Sequence, residues 1–151
     1  MRVLILKQER TLYLLDSGTV LLRAPVGLGR HPEGPKARAG DGKTPEGVYA
    51  ICLVKPAGKY GRSLGLSYPG PADAQHALDE NRIDADAFQA IQSAVNEGRR
   101  PPWGTALGGE IYLHEGGARE DWTQGCVALD PRDMDVLFPY RSKITEVEIR
   151  P

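Results

Sequence analysis

Cysteine is scarce in this chain: Cys52 and Cys126 are the only two in 151 residues, and neither belongs to a Cys-x-x-Cys pair. Two cysteines do not make the disulfide framework of a small stapled domain. The three histidines, His31, His76 and His114, lack zinc-like spacing, so no metal site is expected. No charge is in excess either, since 19 Lys and Arg against 20 Asp and Glu leave a net charge of −1. Without a basic run or stripe there is nothing to hold a phosphate backbone, and nucleic acid is not an expected partner. Long hydrophobic runs are missing as well. Val3-Leu4-Ile5-Leu6 is too short for a membrane span or a secretion signal, and Lys7, Glu9 and Arg10 follow at once. No repeat, low-complexity tract or interdomain linker is visible.

What is present fits one ordinary globular domain over residues 1–151. Hydrophobic residues make up 40% and charged residues 26%, enough to bury a core. The 18 glycines and 12 prolines imply many turns and short elements rather than long helices. Val3–Leu6 and Thr11–Leu15 read as a strand pair, and Thr19–Val26 follows the turn signal Asp16-Ser17-Gly18 as a third strand. Residues 27–44 read as a loop. Thr44–Lys55 reads as one strand entered through Pro45 and Gly47, with Cys52 as an inert core residue and Glu46 exposed. Asp73–Glu80 and Ile83–Asn96 are helix candidates. The second has Asp84 as N-cap and Phe88, Ile91 and Val95 at helical spacing. Arg99 and Arg100 beyond it are expected to be solvated. Gly109–His114 and Cys126–Leu129 return to strand. Asp130 then suits an N-cap and Pro131 a first turn, with Met134, Leu137 and Phe138 as the apolar side of a third helix. Ile144–Ile149 is the last strand. The expected class is mainly β, a β-rich mixed α/β domain.

The chemistry concentrates in Trp122-Thr123-Gln124-Gly125-Cys126-Val127-Ala128-Leu129, with His114 twelve residues upstream of Cys126. A thiol attacks a carbonyl only as thiolate. A nearby imidazole can take its proton, and backbone N–H groups beside it can hold the oxyanion that forms. Gly125 permits close backbone approach, and Thr123 supplies a hydroxyl just before the turn. The plainer alternative is that Cys126 is a small buried hydrophobe and His114 a satisfied core residue.

Three blocks carry a resemblance. Ile111-Tyr112-Leu113-His114, then Gly116-Gly117 and Asp121 to Leu129, resemble the signature of the L,D-transpeptidase catalytic domain, or YkuD domain, in which a His precedes a variable loop and Ser/Thr-x-Gly-Cys. Gly40-Asp41-Gly42-Lys43-Thr44-Pro45-Glu46-Gly47-Val48-Tyr49 is similar to that family's Gly-Asp-Gly-x-Thr-Pro-x-Gly-x-Tyr stretch. Leu64-Gly65-Leu66-Ser67-Tyr68-Pro69 is close to its Leu-x-x-Ser-Tyr-Pro segment. The blocks stand in the family's order across most of the chain.

The resemblance implies a β-sandwich or barrel with two or three short helices, no cofactor, and a cysteine acyltransferase acting on peptidoglycan stem peptides. It implies Cys126 as nucleophile and His114 as general base, with the main-chain carbonyl of Glu115 orienting the imidazole. The Glu115 carboxylate is expected to face solvent. Gly125 and Cys126 N–H groups are oxyanion-hole candidates. Thr123, Gln124, Trp122, Tyr112 and Tyr68 are candidates to line a substrate groove, with core packing the equal alternative for the three aromatic residues. The implied reaction releases D-alanine from a tetrapeptide stem and passes the acyl group to an amine. The alternatives are an L,D-carboxypeptidase or amidase on the same substrates, or a non-catalytic peptidoglycan-binding domain. The family's usual site of action favours the periplasm or cell envelope, which requires an export signal ahead of this chain. Without one, the reading is cytoplasmic. Departures from the common pattern are Gln124 in place of a second His, Ala128 in place of an Arg, and Glu115 between His114 and the following glycines.

Overall fold

The computed structural model describes all residues, 1–151. Its strands are β1 (Arg2–Leu6), β2 (Thr11–Asp16), β3 (Thr19–Pro25), β4 (Gly47–Tyr49), β5 (Ile51–Gly58), β6 (Gly61–Leu66), β7 (Tyr112–His114), β8 (Val127–Ala128) and β9 (Glu146–Arg150). Its helices are α1 (Pro71–Asp79), α2 (Ala85–Asn96) and α3 (Pro131–Leu137), and a 3₁₀ turn over Phe138–Tyr140 follows the last. None is long and apolar enough to cross a membrane.

Two mixed sheets form, in the orders β3-β2-β1-β9-β4 and β5-β6-β7-β8. Alternation explains the first. Val3 and Ile5 of β1, Leu12 and Leu14 of β2, and Val147 and Ile149 of β9 all turn inward, while Arg2, Leu4, Tyr13, Leu15, Glu146 and Glu148 between and beside them are only partly buried. β1 pairs antiparallel with β2 and parallel with β9, so the last strand closes against the first. The inner faces share one hydrophobic cluster of 23 residues. It takes Leu64, Leu66, Leu113 and Val127 from the second sheet and Ala74, Ala77, Ile91, Met134 and Leu137 from the helices. Each fully buried aliphatic side chain there stabilises the fold by about 1.5–3 kcal/mol.

The helices begin where the sequence gives them caps. The Asp84 carboxylate accepts from Ala87 N–H at 2.8 Å, as the N-cap position predicts. α1 starts two residues earlier than expected, at Pro71, because Asp73 reaches back to Gly70 N–H at 2.9 Å. Asp130 occupies the N-cap position of α3 but does not cap it with its side chain; its carboxylate accepts from Ala118 N–H at 3.1 Å instead.

Four expectations need correction. Thr44–Lys55 is not one strand: β4 and β5 lie in different sheets, and Ala50 is the crossing point. Cys52 is half-exposed rather than core, at an irregularity where Ile51 pairs with Leu66 and Leu53 with Gly65. Glu46 is drawn in by Lys7, whose ammonium it meets at 3.1 Å. Finally, β6 was not expected as a strand. Its Gly61-Arg62-Ser63-Leu64-Gly65-Leu66 sequence has weak strand propensity and is ordered by pairing on both sides. Gly65 packs closely there, since a Cβ would lie 3.0 Å from Leu53 and 3.1 Å from Tyr112.

Candidate active site

β7 and β8 run parallel with Leu113 beside Val127 and His114 beside Ala128. Continuing that register by one residue beyond Leu113 and Val127 sets Cys126 beside Tyr112. His114 and Cys126 therefore project from the same face of adjacent strands, because side chains alternate along each. The Tyr112 N–H donates to Cys126 Sγ at 3.4 Å, and the thiol points to the Glu110 carbonyl at 3.4 Å.

The turn before Cys126 is fixed by Thr123. Its hydroxyl donates to the Cys126 carbonyl at 2.7 Å and accepts from Gly125 N–H at 3.1 Å. Gly125 sits at φ +144°, and a Cβ on it would lie 2.7 Å from the Lys43 carbonyl. Glycine is thus required where the Gly40–Tyr49 block packs behind the Cys126 turn. The Gly125 N–H, an oxyanion-hole candidate, is already engaged by Thr123. The Cys126 N–H meets no backbone or side-chain acceptor.

His114 is 3% exposed. Its Nδ1 is held by the main-chain carbonyl of Glu115, so that nitrogen carries the proton and Nε2 keeps its lone pair. Tyr60 stacks on the ring, centroids 4.8 Å apart, and Trp122 meets it edge-on at 5.6 Å. Burial lowers the His114 pKa, partly opposed by the Glu115 carbonyl. Burial raises that of Cys126, with the Glu110 charge adding to the rise; the Tyr112 N–H and the Lys36 charge oppose it. Both groups therefore rest neutral near pH 7.

These residues open into one cavity of about 620 Å³. Tyr112, Trp122, Thr123 and Gln124 line it alongside Cys126 and His114. Tyr68 does not: it is fully buried, and its hydroxyl donates to the Leu107 carbonyl at 2.9 Å. The Glu115 carboxylate does not face solvent but binds Arg62, Nε to Oε2 at 3.0 Å. The lining residues that were not anticipated include Tyr60, Trp103, Arg30, Lys55 and Lys59. Tyr60 had a cue, an aromatic side chain in the Gly58-Lys59-Tyr60-Gly61 turn where a small polar residue is usual. Lys55 lies over the Tyr112 ring at 4.9 Å and Lys59 over Tyr60 at 5.2 Å. Lys36 also reaches the cavity, but Asp41 holds it at 2.8 Å. Arg99 and Arg100 are exposed as expected, and Arg100 lies over Trp103 at 4.6 Å. No group of three or more His, Cys, Asp or Glu side chains is arranged to hold a metal ion.

A β-rich two-sheet domain carrying Cys and His in one groove is the class these features define. The sequence model of the YkuD family, the L,D-transpeptidase catalytic domain, matches residues 1–149, and the chain belongs to that family. No curated protein matches the chain by sequence. Among solved structures it is similar to the helical cell shape determining protein Pgp2 from Campylobacter jejuni (TM-score 0.64, 20% identity, 98% of this chain and 46% of that one). It is similar also to L,D-transpeptidases from Xylanimonas cellulosilytica (TM-score 0.54, 13% identity, 98% and 59%) and Mycobacterium smegmatis (TM-score 0.52, 11% identity, 99% and 58%). The chain thus spans about half the length of the solved structures it matches, and at these identities the likeness is one of fold.

Proposed function

We propose that this domain is a cysteine acyltransferase of the L,D-transpeptidase type, acting on peptidoglycan tetrapeptide stems in the cell envelope. The observation that carries the reading is the shared face of β7 and β8: Cys126 Sγ and the His114 ring open into one groove, with Nδ1 tied back to Glu115 and Nε2 left free. Family membership supplies the substrate class. The unpaired cations Arg30, Lys55 and Lys59 along the groove suit a substrate bearing several carboxylates.

Nε2 of His114 takes the Cys126 proton as Sγ attacks the carbonyl of the third stem residue. The resulting oxyanion is held by the Cys126 N–H rather than by Gly125. Collapse breaks the amide, and the His114 proton passes to the departing amine of D-alanine, leaving a thioester on Cys126. An acceptor amine then attacks the thioester and regenerates the thiol. Water in place of the amine makes the same site an L,D-carboxypeptidase.

Intact mass after incubation with a disaccharide tetrapeptide tests this. Wild type and Cys52→Ala are expected to gain the donor minus D-alanine, and Cys126→Ala to gain nothing. Added amine distinguishes transfer from hydrolysis. Folded, reduced protein that releases no D-alanine and forms no adduct would favour a non-catalytic binding domain.

A further inference from the structure

β6 and β7 pair antiparallel with Ser63 opposite His114, Leu64 opposite Leu113 and Gly65 opposite Tyr112. The next pair out is Arg62 opposite Glu115. Leu66 N–H donates to the Ile111 carbonyl at 2.8 Å, so Leu66–Ile111 is a hydrogen-bonded pair of this ladder. Such pairs recur every second residue, which makes Arg62–Glu115 another. A regular ladder would send the Arg62 N–H to the Glu115 carbonyl. It goes instead to the Glu115 carboxylate, Oε2 at 2.6 Å, and the Glu115 carbonyl turns to His114 Nδ1.

We propose that Glu115 is a positioning residue whose side chain takes over the ladder bond of its own main-chain carbonyl, releasing that carbonyl to orient His114. The proposal rests on His114 being the base for Cys126, as put forward above. Arg62 completes the device. Its Nε and Nη2 hold the two carboxylate oxygens at 3.0 Å each, and Nη2 continues to Asp135 at 2.8 Å and to the Pro131 carbonyl at 3.2 Å. The peptide that carries the carbonyl needs this anchoring. Gly116 at φ +117° and Gly117 at φ +105° follow it, and two glycines leave the unit free to rotate. The same carboxylate packs against Gly61, where a Cβ would lie 2.4 Å from Oε2, and so fixes the turn that carries Tyr60 onto the imidazole.

The test uses the full chain with ¹⁵N-labelled histidine, together with the acyl-enzyme assay. Wild type is expected to show His114 as one neutral tautomer with the proton on Nδ1. Glu115→Ala lets the Arg62 N–H recapture the carbonyl. The tautomers should then mix, and acyl-enzyme formation should slow roughly tenfold or more. Glu115→Gln keeps an oxygen for the Arg62 N–H and is expected to restore the wild-type tautomer and most of the rate. Glu115→Met, with the same stem and no oxygen acceptor, replaces Ala should that variant not fold. An unchanged tautomer in Ala or Met, with only a lower Tm, overturns the proposal, as does a Gln variant as impaired as Ala. If wild type forms no acyl-enzyme, the enzymatic reading falls, while the tautomer still decides whether Glu115 positions the ring.

Discussion

Burial moves the two ionisable groups of the groove apart: His114 goes down from its ordinary value near 6.5, Cys126 up from about 9.0. Between those limits the thiol keeps its proton and the imidazole has none, so in the proposed reaction the thiolate forms only as the substrate is attacked. The sign of the pH dependence follows. Acyl-enzyme formation is lost as pH falls through the His114 pKa, below 6.5, because a protonated ring cannot accept the thiol proton. Alkylation of Cys126 by iodoacetamide in a Cys52→Ala background should keep rising with pH through 9, since it needs preformed thiolate. A flat alkylation rate from pH 6 to 8 would show a resting thiolate–imidazolium pair and overturn this account. That Cys126 and His114 share one groove was legible in the sequence because both stand within one short local pattern. Gly125 N–H, Tyr68 and the Glu115 carboxylate were misread for a common reason. What each does depends on a partner distant in sequence or on a turn hydroxyl, namely Leu107 for Tyr68, Arg62 for Glu115 and Thr123 for Gly125.

At the scale of elements, the site depends on a segment that reads as a loop. Residues 27–44 read as Gly, Pro and charge, yet Asp41 organises their centre. It accepts from Lys36 Nζ at 2.8 Å and from the N–H groups of Ala37, Arg38 and Lys43 at 2.8, 3.1 and 3.1 Å. Burial alone would raise its pKa, but Lys36 and the three N–H groups outweigh it and hold the carboxyl at about 2. A folded pKa below the unfolded one contributes stability that is present above about pH 4 and lost as pH falls toward 2. The shift corresponds to about 2 kcal/mol. Asp41→Asn should therefore be less stable than wild type by about 2 kcal/mol at pH 6 in urea unfolding, with the gap closing between pH 4 and 2. A gap that stays constant over that range would show that the Asp41 charge is not what holds the loop. The same segment explains the misjudged strand. Thr44 to Lys55 is apolar and β-branched enough to read as continuous, and no local cue marks the change of sheet. Ala50 turns the corner because Ser67, seventeen residues on, waits there to bond it.

That corner joins the two halves of the molecule. Ala50 N–H donates to Ser67 Oγ and Ser67 N–H to the Ala50 carbonyl, each at 2.9 Å, so the exit from the first sheet is stitched to the end of β6 in the second. The hydrophobic cluster draws on both sheets and all three helices, and nothing in the packing separates the strands that carry Cys126 and His114 from those of the β1–β2 hairpin. Such a layout calls for one cooperative unfolding transition. Ser67→Ala removes the acceptor of Ala50 N–H and should cost about 1–2 kcal/mol, since the bond is only partly shielded from water. For a chain of this size that lowers Tm by roughly 2–8 °C. Far-ultraviolet circular dichroism follows the strands of both sheets, while near-ultraviolet dichroism and fluorescence follow Trp103 and Trp122 in the groove. The two should shift together in the variant. If the groove signal melts before the strand signal, the corner does not couple the sheets, and the geometry around Cys126 and His114 is maintained by β5–β8 alone.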